Sequence, residues 1–268
     1  MTMPIDLLIV RHGESELNVA GKRSKKGDNR DFTPAFLARH SSSMRLTDRG
    51  REQARTARDW VRANVPLPFD RHYTSEYVRA METAALLELP NAEWFTEFYL
   101  RERDWGALDV MPDDKRRVRY ADDIRRMHIE PLYWTPPRGE SIANLCQRAP
   151  DRMFDTLHRE CGEKRVAIVC HGEVMWSFRV RLERMSARRY RELDASTDPK
   201  DHIHNCQILW FTRRNPEINE LSDHLDWMKS VCPTDLTKSR NVWEPITRPR
   251  FSNADLLAEV ARTPQIIK

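Results

Sequence analysis

The chain alternates short apolar runs with longer stretches whose apolar side chains recur every third or fourth position. The first run, Ile5 and Leu7 to Val10, is branched and too short to cross a membrane, and it predicts a buried strand. It leads straight into Arg11, His12 and Gly13. In an open α/β sheet such residues emerge at the carboxyl end of a strand, where ligands bind, and glycine lets the backbone turn and come close to them. Residues 21–30, GKRSKKGDNR, have no apolar period and predict an exposed cationic loop. After Thr47, a helix cap, Ala54, Ala57, Trp60 and Val61 recur at helical spacing until Pro66 and Pro68 close the segment.

A second strand is expected in FDRHYTS, ending at Ser75, and then a helix with Ala80, Ala84 and Leu87 on one face. AEWFTEFYL is a third strand candidate, and Asp113 to His128 is charged and helix-compatible. After the prolines of EPLYWTPPRGES, an amphipathic helix buries Ile142, Leu145, Cys146, Ala149, Met153 and Leu157 and ends near Gly162, with Pro150 expected to kink or divide it. Val166 to Cys170 repeat the opening, an apolar strand running into His171 and Gly172. HIHNCQILWF, residues 202–211, predicts a further strand on which His202 and His204 alternate. Beyond Asn215 the pattern decays into short pieces broken by prolines. Strands alternating with helices predict an α/β fold, a three-layer α/β/α sandwich with a mostly parallel central sheet. The expected organisation is one domain over residues 1–214, with a helical cap insertion at about 107–138, and a C-terminal extension over 215–268.

Composition narrows the function. A net charge of +4 favours small anions mildly and falls short of a nucleic-acid footprint. The five cysteines show no CxxC pair, so neither a disulfide framework nor a zinc site is suggested. The amino terminus has no basic region followed by a long apolar stretch, and no run reaches transmembrane length, so the cytoplasm is the expected location and no membrane partner is expected. Homo-oligomerisation stays open.

Among only nine histidines and eight glycines, two His-Gly pairs that each follow an apolar strand are unlikely to be coincidence. If the two strands are parallel neighbours, His12 and His171 meet at one sheet edge. Two imidazoles and Arg11 suit a dianion, since the rings can donate and the guanidinium can grip two oxygens. No aspartate-rich or cysteine cluster accompanies them, so neither a metal nor another cofactor is expected.

RHGES after the first strand and HG after the later one resemble the histidine phosphatase superfamily, which contains cofactor-dependent phosphoglycerate mutases and many phosphatases. LTDRGREQA is similar to its LTxxGxxQA helix start, TSEYVRAMETAAL to its TSxLxRAxxTA segment, LRERDWGALD to its LxExxxGxxxG stretch, and PPRGES to its PxGES motif. The resemblance spans roughly residues 5 to 211 in the family's order. It implies His12 as a nucleophile forming a phosphohistidine and Glu102 as the general acid. It also implies that Arg11, Arg79 and His171, beside Gly172, bind phosphoryl oxygens, with Asn18 as a helper. Glu14, Glu16 and Glu173 are rivals for the acid role.

Elementary chemistry fits these roles. A phosphoryl group in transfer spreads charge over three oxygens, which two guanidiniums and an imidazole can stabilise. A neutral imidazole is a competent nucleophile, and an alkoxide needs a proton to depart. Departures from the family's mutases favour hydrolysis of a small-molecule phosphomonoester or a phosphoprotein. Leu17 stands where mutases carry tryptophan, 27 residues (19–45) separate Asn18 from Leu46, and GEVMW replaces GNSLR. Arg138 also replaces a usual glycine. A mutase is the second reading, and a noncatalytic phospholigand-binding protein the third. Specificity is expected to lie in the 19–45 insertion and the cap.

Overall fold

The computed structural model describes residues 2–267. Its strands are β1 (Asp6–Arg11), β2 (Arg71–Thr74), β3 (Trp94–Thr96), β4 (Arg165–Cys170), β5 (Ile208–Thr212), β6 (Trp227–Val231) and β7 (Glu244–Pro245). They form one sheet in the order β3-β2-β4-β1-β5-β6-β7. The four strands from β3 to β1 are parallel, and β5, β6 and β7 each pair antiparallel with the strand before them in that order. The helices are α1 (Glu16–Ser24), α2 (Pro34–Leu37), α3 (Asp48–Asn64), α4 (Val78–Leu86), α5 (Asp113–Arg119), α6 (Ala121–Ile129), α7 (Ile142–Arg148), α8 (Pro150–Glu160), α9 (Gly172–Leu182), α10 (Ala187–Asp194) and α11 (Asn253–Val260).

Side chains of successive strand residues point to opposite faces, and here both faces are covered. Leu7, Ile9, Val166 and Ile168 pack with Leu145, Met153, Leu157 and Phe178 of α7, α8 and α9. Leu8, Val10, Ala167 and Val169 pack with Ala54, Ala57, Val61, Ala80 and Ala84 of α3 and α4. This is why the two strands read as unbroken apolar runs, and it is the expected three-layer sandwich. The small alanines of α3 and α4 let those helices lie close to the sheet. The cap is helical, as expected.

Several elements differ from the expected ones for local reasons. The amphipathic segment divides at Ala149, and Pro150 takes the first position of α8, where its missing N–H costs nothing. The cationic loop is shorter than residues 21–30, because α1 continues to Ser24 from a capping box formed by Ser15 and Asn18. The third strand closes at Thr96 and a 3-10 turn follows over Phe98–Leu100. The cap helix is two helices, interrupted at Tyr120. The strand expected from His202 starts only at Ile208, so His202 and His204 lie on the preceding loop. The segment after Asn215, expected to be an appendage, adds β6 and β7 to the sheet. Its signal is weak because Trp227 and Lys229 stay partly exposed near the sheet edge, leaving no apolar run.

Candidate active site

The parallel register of β1 and β4 puts Arg11 opposite Cys170, so both chains leave the sheet at one level. The His12 N–H donates to the Cys170 carbonyl at 3.0 Å. The two imidazoles that follow meet edge to face with centroids 5.1 Å apart, and both are buried. His171 caps α9, so the positive end of that helix adds to the site's potential.

His12 is held in one tautomer. Its Nδ1 lies 2.7 Å from the Gly13 carbonyl, which can only accept, so Nδ1 carries the proton and Nε2 keeps its lone pair. Arg79 Nε donates to that Nε2 at 3.1 Å. Burial first, and then the Arg79 and Arg11 charges, hold the His12 pKa well below its usual value. The same causes act on His171, burial foremost. Its Nε2 lies 2.8 Å from the Ser75 hydroxyl, and its Nδ1 has no partner. Burial lowers both arginines from their ordinary value, and guanidiniums stay charged in proteins. Arg79 is anchored by donating to the Ser41 carbonyl and lies over the Tyr77 ring. Arg11 donates to the Ile203 carbonyl at 2.7 Å, and its buried Nε is unpartnered.

Residues of the family-like motifs hold the loop that follows His12. A Cβ on Gly50 would stand 2.0 Å from the Glu14 carbonyl oxygen, and one on Gly13 would stand 2.3 Å from that of Gly50. Only glycine at both positions lets the loop after His12 rest on the first turn of α3. Gln53 accepts from the Glu14 N–H, the Thr47 N–H donates to the Glu14 carbonyl, and Thr83 accepts from the Gly13 N–H. Thr47, Gly50, Gln53 and Thr83 thus fix His12 without touching it.

Glu102 comes from the segment that follows β3 and its 3-10 turn. Glu102 accepts from the Arg103 N–H, and burial raises its pKa against the pull of Arg79. Arg148, which sequence reasoning missed, donates to the Arg101 and Glu102 carbonyls and pairs with Glu140, pinning the loop that carries Glu102. Arg103, also missed, is buried, stacks on Trp105 and Trp134, and lies 3.9 Å from Glu173. Burial pushes the Glu173 carboxyl up to about 7 although Arg103 pulls it down. Isolated charged residues carry no periodicity, so no sequence signal marked Arg103 or Arg148.

Arg11, His12, Asn18, Arg79, Glu102 and Gly172 line one cavity of about 370 Å³, and His171, fully buried against His12, does not line it. Asn18 is held by accepting from Asn205. Glu173 also lines the cavity, whereas Glu14 takes a hydrogen bond from Thr47 and Glu16 is tied to Arg39 and Arg45. His202 and His204 are engaged with the Ser196 and Pro199 carbonyls, away from that cavity. His12, Glu102 and His171 offer ligand atoms within 4.8 Å of one another. With two buried guanidiniums beside them, that arrangement suits an anion better than a divalent cation.

An α/β sandwich with two histidines and two arginines at the carboxyl ends of parallel strands defines a phosphoryl-binding class. Residues 7–223 match the family model of the histidine phosphatase superfamily (branch 1), and the chain belongs to that superfamily. It is 30% identical over 200 residues to a 2,3-bisphosphoglycerate-dependent phosphoglycerate mutase of Parvibaculum lavamentivorans, covering 73% of this chain and 88% of that one. Over 172 residues it is 26% identical to the 6-phosphofructo-2-kinase/fructose-2,6-bisphosphatase of Gallus gallus, covering 64% of this chain and 31% of that longer one. Among solved structures, the alpha-ribazole phosphatase of Shigella flexneri shares the fold with a TM-score of 0.60 at 21% identity, covering 82% and 96% of the two chains. A mycobacterial glucosyl-3-phosphoglycerate phosphatase gives 0.61 at 18% identity, covering 91% and 97%.

Proposed function

We propose that this member of the superfamily hydrolyses phosphomonoesters in two displacements at phosphorus. In the first, His12 Nε2 forms a bond to phosphorus while the ester P–O bond breaks, and the Glu102 proton passes to the leaving oxygen. In the second, water attacks phosphorus, the P–N bond breaks, and the Glu102 carboxylate takes the water's proton. Arg11, Arg79, His171 and Asn18 hold the phosphoryl oxygens throughout, and no metal or other cofactor takes part. The observation that supports this reading is the convergence on one cavity of an imidazole whose unprotonated Nε2 accepts from Arg79, two buried guanidiniums and a carboxyl whose pKa burial raises.

The test is a labelled phosphomonoester mixed rapidly with the protein in the presence of a chelator. A phosphoenzyme absent in His12→Ala, with phosphate released at the rate the phosphoenzyme decays, is expected. Loss of turnover on chelation, restored by magnesium or zinc, would overturn the cofactor-free scheme. The mutase reading has one observation behind it, the resemblance to phosphoglycerate mutases at about 30% identity. Isomerisation of a phosphoglycerate faster than release of free phosphate, measured in one reaction, would decide for it.

A further inference from the structure

The catalytic cavity opens into a second one of about 320 Å³, and the two share Leu17, Asn18, Lys25, Trp105 and Asp109 along their boundary. This outer cavity lies where the 19–45 insertion meets the cap. The Asp113 N–H donates to the Ser24 hydroxyl at 2.7 Å, joining α1 to α5, and Asn29 donates to Asp114 at 3.0 Å. Phe32, Trp105 and Met111 supply apolar surface. Lys22, Lys25 and Arg116 supply positive charge, and none of the three is in an ion pair among the described residues. Arg116 stands out: its Nε is fully buried and has no hydrogen-bond partner. The Arg116 side chain lines the cavity with no carboxylate in an ion pair to it among the described residues, so its guanidinium charge is left for an anion held there. Two carboxylates also border this space. Asp113 is paired with Arg117 at 2.7 Å, and Asp109 and Asp113 together face Lys22, Lys25 and Arg116.

We propose that the substrate is a phosphomonoester with an extended, partly apolar organic part that ends in a second anion held by Arg116, with Lys22 and Lys25 at the rim. This names the substrate class of the hydrolytic site and rests on that reading. The phosphoryl group occupies the inner cavity, and the apolar part crosses Trp105 into the outer one. Compact phosphomonoesters that fill only the inner cavity forgo the distal contact.

The probe is a matched pair of biaryl phosphates, one with a terminal carboxylate at the far ring and one with the neutral methyl amide there. The corresponding non-hydrolysable biaryl phosphonates serve for calorimetry. The carboxylate is expected to be preferred about tenfold or more in kcat/KM and in phosphonate affinity, the range for a hydrogen bond to a charged group. Arg116→Gln should bring that ratio close to one, and Arg116→Lys should restore part of it. Equal handling of both esters by the unaltered protein would overturn the proposal. So would an equal loss on both esters in Arg116→Gln, because that is the mark of a structural role. If neither ester turns over, hydrolysis fails as the reading, and the phosphonate affinities still decide the subsite: a carboxylate preference lost in Arg116→Gln supports it, and no preference overturns it.

Discussion

The two adjoining cavities, inner and outer, are built in opposite ways. At the inner end the functional groups are tied by hydrogen bonds: His12 to Gly13, Arg79 to Ser41, Glu102 to Arg103, and the loop after His12 to Thr47, Gln53 and Thr83. At the outer end α5 and α6 contain no buried residue, and two hydrogen bonds tie α5 to the 19–45 insertion. Charge that develops during a reaction is best met by dipoles that need not move, so rigidity belongs at phosphorus. Recognition of an organic group tolerates adjustment, and loops and short helices can supply it.

The sharpest way to break this contrast is to remove the nucleophile. His12→Ala should abolish the phosphoenzyme and lower turnover by on the order of 10⁴-fold or more while circular dichroism shows an intact fold. Normal turnover in that folded variant would end the assignment. Glu102→Gln comes next, with a loss of roughly 10²–10⁴ in single-turnover phosphoenzyme formation on alkyl phosphates and far less on nitrophenyl phosphate, whose leaving group departs unaided. Equal losses on both would reduce Glu102 to a positioning role and bring Glu173 forward. The pH dependence has a definite sign. Because the Glu102 pKa is raised by burial, its proton persists to higher pH, so the alkyl-phosphate rate is level on the acid side and falls as pH rises through that pKa. Burial and the neighbouring guanidiniums depress the His12 pKa, so protonation of His12 needs a pH further below the ordinary imidazole range.

Smaller effects sharpen the picture. Arg79→Ala should cost about 10²–10³ in turnover, as for one preorganised donor. Gly50→Ala forces backbone apart where a Cβ would lie 2.0 Å from the Glu14 oxygen, and should lower stability by about 3 kcal/mol in urea titrations. An unchanged midpoint would mean that the loop is not clamped there. Val118→Ser on α5, a site 86% exposed, should change stability by less than about 0.5 kcal/mol. A larger loss would show that the cap packs more firmly than its exposure indicates.

The same contrast explains what the sequence could reveal. The strands ending in Arg11–His12 and His171–Gly172 are buried on both faces, so they appear as unbroken apolar runs, and the groups that follow them were legible as one site. Arg79 and Glu102 were reached through the family resemblance, because a lone charge on a helix or strand end has no pattern of its own. Arg103 and Arg148 stayed hidden for that reason: the Trp134 carbonyl and ring that Arg103 meets, and the Arg101 carbonyl that Arg148 meets, lie far away in the chain. The outer wall was legible only as charge and irregularity. The strand β6 was missed because partly exposed Trp227 and Lys229 interrupt its apolar signal, and β7 is only the two residues Glu244 and Pro245.

The mooring of the 19–45 insertion carries a consequence for how such a protein changes over time. The insertion leaves and rejoins the domain at adjoining points, where Ser15 bridges Leu46 and the Glu16 N–H donates to the Arg45 carbonyl at 3.0 Å. A loop tied off at its base transmits little of its own length to what lies below. Lengthening it costs only about 0.6 kcal/mol per doubling. Residues between α1 and Ser41 can therefore be lost, gained or exchanged in blocks, remaking the entrance wholesale while the apparatus beneath is inherited unchanged.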